Sequence, residues 1–166
     1  MKLDIQEIVK AVGGRLLNVP KDEKKLGYVT SVSIDTRKIE PGALFVPIAG
    51  ERVDGHDYIS AAVEKGAVCA FTERENVLDE SQGEASKKVL LILVASTRRA
   101  LMDLAGFYRR MHDIKVVAVT GSAGKTTTKD MIAHVLARKF RTKKTLGNFN
   151  NDIGLPLSVF QLELDD

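Results

Sequence analysis

Six consecutive residues near the middle of the chain have the types and spacing of a phosphate-binding loop: Gly121, Ser122, Ala123, Gly124, Lys125 and Thr126. Gly121 and Gly124 lack a Cβ, so the backbone there can turn tightly and point several N–H groups at phosphate oxygens. Lys125 can reach the β- and γ-phosphates as a point charge, and the Thr126 hydroxyl is suited to holding Mg²⁺. The pattern predicts binding of ATP together with Mg²⁺.

The elements on either side of this loop are expected to place it between a strand and a helix. A continuous apolar run, Ile114 to Val119, predicts a buried strand before the loop. Apolar residues at helical spacing, which include Met131 and Val135, predict a helix after it. The start of a helix adds unpaired N–H donors and partial positive charge, which also favour a phosphate.

The loop departs from the full Walker A pattern, because Val119 stands where that pattern has its first glycine. It fits the shorter Gly-x-x-Gly-Lys-Thr variant, which is more specific when it directly follows a buried strand. The alternative is a glycine turn before a helix, with Lys125 merely exposed. Thr127 either touches a phosphate or only caps a backbone donor.

A second group of polar residues follows a predicted strand near the N-terminus. Asp35, Thr36 and Arg37 come at the end of the β-rich run Val29 to Ile34. Polar donors and a planar guanidinium at a strand end can grip a pyrophosphate. An ordinary turn with a solvated Arg37 is the alternative.

Two turn-rich segments carry further candidates. Asp54-Gly55-His56 is a turn signal, and a plain loop is favoured there over a metal or catalytic role for His56. Asn148, Asn150 and Asn151 cluster near Gly147 and Gly154, which is typical of a loop. Several amides beside an ATP site would also suit a peptide or sugar substrate.

The remaining pattern predicts an α/β protein of two units. Asp4 and Gly13-Gly14 bound a first amphipathic helix, and further strands are predicted at Ala43–Ile48, Ala67–Phe71 and Val89–Val94. Helices are predicted from about Tyr58 to Lys65 and through Leu101, Leu104, Ala105 and Tyr108, and a surface loop at Thr72–Lys88.

We place a boundary near Ala95: residues 1–95 form a small α/β domain, and 96–166 begin a parallel-sheet P-loop domain. Because about seventy residues cannot cover both faces of such a sheet, we expect an incomplete second domain, cut from a longer protein.

Composition restricts the class of protein. The formal net charge of +3 suits anionic small molecules and gives no indication of nucleic-acid binding. No apolar run is long enough for a membrane span and the N-terminus lacks a secretory signal, so a cytoplasmic protein without membrane contact is expected. The single cysteine, Cys69, lies in an apolar run and is expected to be a buried structural thiol.

Three segments together resemble the Mur ligases. Val119–Lys129 is similar to the family's ATP loop, and Ser33–Arg37 with Pro41–Pro47 and Asp54–Tyr58 is similar to the N-terminal domain that holds the UDP-sugar end of the substrate. Leu146–Leu157 resembles an asparagine-rich segment of the member that uses D-alanyl-D-alanine, where other members tend to carry a Thr-Thr-Pro type sequence. The resemblance implies substrate-binding roles for Ser33, Asp35, Thr36, Arg37, Asn148, Asn150 and Asn151.

The resemblance also implies a reaction. ATP phosphorylates the terminal carboxylate of UDP-N-acetylmuramoyl-tripeptide, and the amine of D-alanyl-D-alanine attacks the acyl phosphate, as a step of peptidoglycan precursor synthesis. Lys125 would be catalytic, residues Gly121 to Thr127 would hold ATP, and Thr126 would hold Mg²⁺. The family's further metal ligands, modified lysine and third domain are not among residues 1–166, so we expect a monomeric chain that alone binds nucleotide weakly or not at all and does not turn over.

Other classes of function stay open from the sequence. A kinase is disfavoured by the ninety-five-residue unit before the loop, and a folylpolyglutamate-type ligase by the segment from Asn148 to Pro156. Another Mur-type ligase and a non-catalytic nucleotide-binding fragment are the remaining alternatives.

Overall fold

The computed structural model describes residues 1–17, 26–51, 53–75, 89–145 and 151–162. Its strands are β1 (Leu3–Asp4), β2 (Arg15–Leu16), β3 (Tyr28–Val29), β4 (Ser31–Ser33), β5 (Ala43–Phe45), β6 (Ala67–Thr72) and β7 (Leu90–Leu93). Its α-helices are α1 (Ile5–Val12), α2 (Ile59–Glu64), α3 (Thr97–Arg110), α4 (Lys125–Leu136) and α5 (Gly154–Phe160). Short 3₁₀ turns cover Thr36–Lys38 and Gly55–Tyr58.

The first helix forms as its sequence predicts. Asp4 accepts a hydrogen bond from the Gln6 N–H at 2.7 Å and so caps the start of α1. Gly13 ends the helix with a left-handed backbone, at a φ of +60°. These caps define the two ends of α1, and its apolar residues Ile5 and Ile8 are buried in the core.

The main sheet is mostly parallel, as the α/β prediction requires. Its order among the described residues is β2-β7-β6-β5-β4, with β4 to β7 mutually parallel and β2 antiparallel to β7. The predicted run Val29–Ile34 covers the end of β3 and all of β4. These are separate strands, because β3 pairs with β1 in a two-stranded sheet and β4 pairs with β5 in the main sheet. The carboxyl ends of β4 to β7 therefore share one edge of the sheet.

Apolar side chains pack on both faces of this sheet. One face carries α1 and α3, with Phe71, Ile92 and Leu101 among the fully buried residues. The other face carries α2, with Phe45 and Ile59 buried. Cys69 is fully buried, as predicted, and desolvation raises the pKa of its thiol.

Helix α3 packs with the first unit, although the sequence placed its start in the second. Leu101, Leu104 and Tyr108 are buried in the core that includes α1 and the sheet. The carbonyl of Leu162, beyond the end of α5, accepts a hydrogen bond from the Tyr108 hydroxyl at 3.2 Å. The division at residue 95 stays a prediction, and this packing favours a boundary after Arg110.

The prediction of a buried strand at Ile114–Val119 is wrong for this structure. The segment has no strand assignment, and the side chains of Val116 and Val117 are 62% and 60% exposed. A β-segment is stabilised by a neighbouring strand, and none of the described residues supplies one here. The helix after the loop is confirmed, but Met131 and Val135 are exposed on it.

Two further predictions, the surface loop after β6 and the absence of a membrane span, can be compared with the described residues only. Thr72 ends β6, and most of the predicted loop after it, residues 76–88, lies outside the described part of the chain. No helix among the described residues is long and apolar enough to cross a membrane.

Candidate functional site

The loop before α4 has the backbone that the two glycines predict. Gly121 has a φ of +152° and Gly124 a φ of +74°, in a region that side-chain-bearing residues rarely adopt. Helix α4 begins at Lys125, and the Thr128 N–H closes its first turn on the carbonyl of Gly124 at 2.9 Å. No side chain caps this helix start, so its first amides keep their capacity to bind an anion.

The Lys125 side chain folds back over the loop. Its Nζ donates to the carbonyl of Gly121 at 2.6 Å and lies 3.4 Å from the carbonyl of Ser122. A cation therefore stands beside the uncapped helix start, and the loop residues Gly121 to Thr127 are all solvent-exposed. A positive charge, backbone donors and open access together fit a polyphosphate.

Thr126 and Thr127 line an open groove on the side of α4. The groove has a volume of about 420 Å³, and its other lining residues are Asp130, Met131, His134 and Val135. Lys144 donates to Asp130 at 2.8 Å, and this hydrogen bond lowers the pKa of the Asp130 carboxyl. Thr126 can offer a hydroxyl to a metal; the described residues contain no cluster of three or more His, Cys, Asp or Glu side chains that could hold one without phosphate.

Lys144 and Thr145 contact the second turn of α4. Lys129 donates to the carbonyl of Thr145 at 2.7 Å, and Lys144 pairs with Asp130 as described above. The chain therefore lies beside α4 just before the asparagine-rich segment begins.

The predicted asparagines are placed only in part. Asn148 and Asn150 lie outside the described residues. The side-chain oxygen of Asn151 accepts from the Gly154 N–H at 2.6 Å, at the start of α5. Asn151 lines a separate groove of about 410 Å³ between α3 and α5, so its predicted role in substrate binding stays a prediction.

The cluster Ser33, Asp35, Thr36 and Arg37 forms at the carboxyl end of β4. Arg37 donates from Nε and Nη2 to the two carboxylate oxygens of Asp35, at 2.9 and 2.8 Å. These bonds and the Arg37 N–H lower the pKa of Asp35 to about 2. Ser33 Oγ accepts from the Asp35 N–H at 3.2 Å, and Thr36 begins the 3₁₀ turn.

The Asp35–Arg37 pair leaves the guanidinium accessible. The Arg37 side chain is 84% exposed, and a guanidinium carries five N–H donors, of which Asp35 takes two. The remaining donors face solvent at the carboxyl edge of a parallel sheet, where α/β folds commonly bind ligands. The geometry is compatible with a diphosphate, and equally with a solvated turn.

A hydrogen-bonded network around His56, which the sequence did not predict, lies at the same edge. His56 is buried; its Nδ1 lies 2.6 Å from Asp54 Oδ1, and its Nε2 accepts from the Glu73 N–H at 3.1 Å. Both ring nitrogens are thus used inside the protein, which supports the preference for a structural over a catalytic His56. The sequence indicated only the turn at Asp54 and His56. It did not indicate the bond from Glu73, because that residue is remote in sequence.

Two family models match this chain. The model described as Mur ligase family, catalytic domain, matches residues 28–109, and the Mur ligase middle domain matches residues 119–166. Together they include both the Asp35–Arg37 cluster and the phosphate loop.

Curated relatives are similar in sequence to most of this chain. A UDP-N-acetylmuramoyl-tripeptide--D-alanyl-D-alanine ligase from Bacillus subtilis is 42% identical over 162 residues, covering 98% of this chain and 34% of the relative. A ligase of the same name from Escherichia coli is 40% identical over 132 residues, covering 80% of this chain and 27% of the relative. The chain thus spans about a third of the length of these relatives.

Two solved structures named as MurF ligases share the fold of this chain. A crystal structure of MurF from Acinetobacter baumannii has a TM-score of 0.82 and 31% identity, covering 98% of this chain and 34% of that one. The MurF ligase from Thermotoga maritima, solved in complex with ADP, has a TM-score of 0.68 and 34% identity over 80% of this chain and 29% of its own. With its α/β sheet, its glycine loop and both family models, the chain belongs to the Mur ligase family.

Proposed function

We propose that this chain is the N-terminal part of an ATP-dependent ligase that adds D-alanyl-D-alanine to UDP-N-acetylmuramoyl-tripeptide during peptidoglycan precursor synthesis. The observation that carries the proposal is the position of Lys125, whose ammonium stands over the Gly121 carbonyl beside an uncapped helix start. The names of the relatives support the choice of substrates.

The proposed reaction has two steps that balance without a redox partner. A carboxylate oxygen of the tripeptide attacks the γ-phosphorus of ATP, the bond to the bridging oxygen breaks, and ADP leaves. The amine of D-alanyl-D-alanine then attacks the acyl carbon, the amide bond forms, and phosphate and a proton leave.

Lys125 and the loop amides reduce the electrostatic barrier of the first step. A carboxylate that approaches a γ-phosphate brings two anions together, so positive charge must lie at the transferring group. Lys125 supplies one full charge, and the helix start supplies partial charge and N–H donors. The position of Lys125 beside the start of α4 supports this role.

We propose that Thr126 binds Mg²⁺ together with the phosphates of ATP. Its hydroxyl follows Lys125 directly at the start of α4 and lines the groove beside the loop. When bound, Mg²⁺ neutralises phosphate charge and acts as a Lewis acid. Gly121, Ser122, Ala123, Gly124 and Thr127 are proposed to complete the ATP site.

The UDP-sugar end of the substrate is proposed to bind at the carboxyl edge of the main sheet. Arg37 presents unpaired donors there, and Asp35 holds the guanidinium in a fixed direction through two hydrogen bonds. Ser33 and Thr36 complete this site, and Asn148, Asn150 and Asn151 are proposed to contact the peptide portion. The enzyme is proposed to act as a cytoplasmic monomer.

A chimeric ligase tests the function. In it, this chain replaces the segment aligned with it in the Bacillus subtilis relative. We expect release of phosphate from ATP only when UDP-N-acetylmuramoyl-tripeptide and D-alanyl-D-alanine are both present. Turnover with glutamate and a folate in place of these two substrates would instead support the folylpolyglutamate-type alternative and reject the proposal.

A control separates a folding failure from a wrong assignment. If the chimera is inactive, its circular dichroism and thermal unfolding are compared with those of the Bacillus subtilis relative. A chimera that unfolds like the relative but neither binds the UDP-linked tripeptide nor releases phosphate contradicts the proposal.

A further inference from the structure

One buried imidazole connects elements that are far apart in sequence. The His56 side chain is 2% exposed and lies on the loop that follows β5. Its Nε2 accepts from the Glu73 N–H at 3.1 Å, directly after β6. Because Nε2 is an acceptor, the proton of the neutral ring is on Nδ1, which donates to Asp54 Oδ1 at 2.6 Å.

The connection continues on both sides of the imidazole. The second oxygen of Asp54 accepts a hydrogen bond from Arg74 Nη2. The Glu73 carboxylate accepts from both the backbone N–H and the hydroxyl of Thr97, at 2.7 and 3.0 Å. The loop after β5, the end of β6 and the start of α3 are therefore tied together through residues 54, 56, 73 and 97.

This network lies on the same edge of the sheet as Arg37. Strand β5 is the direct neighbour of β4, and the Val46 N–H donates to the carbonyl of Ser33 at 2.8 Å. The loop that carries His56 thus starts beside the residues proposed to bind the UDP-sugar. The Ala49–Asp54 bridge holds one side of this loop, and the bond from the Glu73 N–H to the buried imidazole joins the loop to the end of β6.

We propose that His56 is a positioning residue for the binding of a nucleoside diphosphate at this edge. It acts through its two hydrogen bonds and does not touch the ligand, because neither ring nitrogen is free. The inference rests on the proposed function, which places the UDP-sugar at this edge. Beyond the proposed function, we infer that the hydrogen bond accepted by Nε2, and not only the volume of the ring, holds the loops at this edge in the conformation that binds the ligand.

Two matched variants of the chimeric ligase test this role. His56→Gln can place its amide oxygen near the position of Nε2 and still accept from the Glu73 N–H, whereas His56→Asn is too short to do so. In His56→Asn we expect the Glu73 amide to exchange with solvent about tenfold faster, because a buried donor loses its partner. We expect affinity for UDP to fall about tenfold in His56→Asn and less than about threefold in His56→Gln.

Several outcomes overturn the inference. Equal affinity for UDP in both variants and the unaltered chimeric ligase contradicts a positioning role, even when thermal stability falls. Faster exchange of the Glu73 amide without a change in UDP affinity would show that His56 has only a structural role, and would overturn the inference. If the folded, unaltered chimeric ligase fails to bind UDP, the proposed function fails as well.

The unaltered chimeric ligase provides a spectroscopic test that does not depend on a variant folding. Long-range ¹H–¹⁵N correlation spectra at neutral pH should show His56 with a protonated Nδ1 and a bare Nε2. This test is independent of ligand, so it separates a failure of the imidazole link from a failure of the UDP site. A ring protonated at Nε2 instead would overturn the inference.

Discussion

The ammonium nitrogen of Lys125 lies 2.6 Å from the carbonyl oxygen of Gly121, the residue that opens the phosphate loop. The cation is therefore held over the turn by the backbone of the turn itself. An anionic phosphate oxygen accepts a stronger hydrogen bond from an ammonium than a neutral carbonyl does. We expect an incoming phosphate to replace the Gly121 carbonyl as the partner of Lys125, with only a small movement of the side chain.

The left-handed backbone at Gly124 predicts a conformational cost for any side chain there. Its φ is +74°, and an added Cβ meets no atom within 4 Å, so the cost of Gly124→Ala is strain and not a clash. A left-handed alanine costs about 1–2 kcal/mol, which corresponds to a roughly five- to thirtyfold loss of ADP affinity if the loop distorts to relieve it. Calorimetric titration of the chimeric ligase with ADP measures this loss.

A second glycine serves as the control. Gly106 lies inside α3, where an added Cβ approaches only the end of the Arg110 side chain, at 3.3 Å. Gly106→Ala should leave ADP affinity unchanged and should not lower stability, because alanine is the better helix former. Equal ADP affinity in Gly124→Ala and the parent would contradict the role given to the loop backbone.

The Asp35–Arg37 pair predicts a specific dependence on pH. Asp35 has a pKa of about 2 against an ordinary value of 3.8, first because of the hydrogen bonds from the Arg37 side chain. The folded pKa is depressed, so the stabilisation from this pair is present above about pH 3.8 and is lost as the pH falls through about 2. Arg37→Met should raise the pKa of Asp35 while leaving it below 3.8, because the residue 37 N–H still donates.

Carboxyl ¹³C shifts of Asp35, followed against pH, measure this pKa directly. Lys38→Met is the matched control, since Lys38 acts on Asp35 only through a weaker charge interaction. A pKa in Arg37→Met that equals the parent value would show that Arg37 does not hold the carboxylate in solution.

The packing of α3 predicts where the chain can be divided. A fragment of residues 1–112 retains Leu101, Leu104 and Tyr108, which are buried against the core of the first unit. A fragment of residues 1–95 loses them, and each fully buried side chain of this kind contributes about 1.5–3 kcal/mol. We expect cooperative thermal unfolding for 1–112 and none for 1–95, as measured by circular dichroism; equal stability of the two fragments would place the boundary near residue 95.

Local signals in the sequence predict the first unit well. The caps of α1 are fixed by Asp4 and Gly13, whose side-chain and backbone properties act within one turn of the helix. The parallel strands follow from short apolar runs that alternate with helices. The left-handed backbone at Gly124 follows in the same way from residue type.

Features that depend on distant partners are not predictable in this way. Periodicity identifies α3 as a helix but does not tell which core it joins, and α3 packs with α1. The apolar run at 114–119 predicts a strand, but a strand requires a neighbour, and none of the described residues provides it. The bond from Glu73 to His56 joins residues 17 positions apart, so neither residue alone indicates it.

The binding of ADP by the chimeric ligase and by its Lys125→Ala variant tests the central claim most directly. The claim is that the turn before α4 binds the phosphates of ATP, with Lys125 as its fixed cation. We expect saturable ADP binding that weakens at least about hundredfold in Lys125→Ala, because a charged partner of the phosphates is lost. Lys139→Ala, which removes another exposed lysine from the same unit, should bind ADP as the parent does. Unchanged ADP affinity in a folded Lys125→Ala variant would contradict the account.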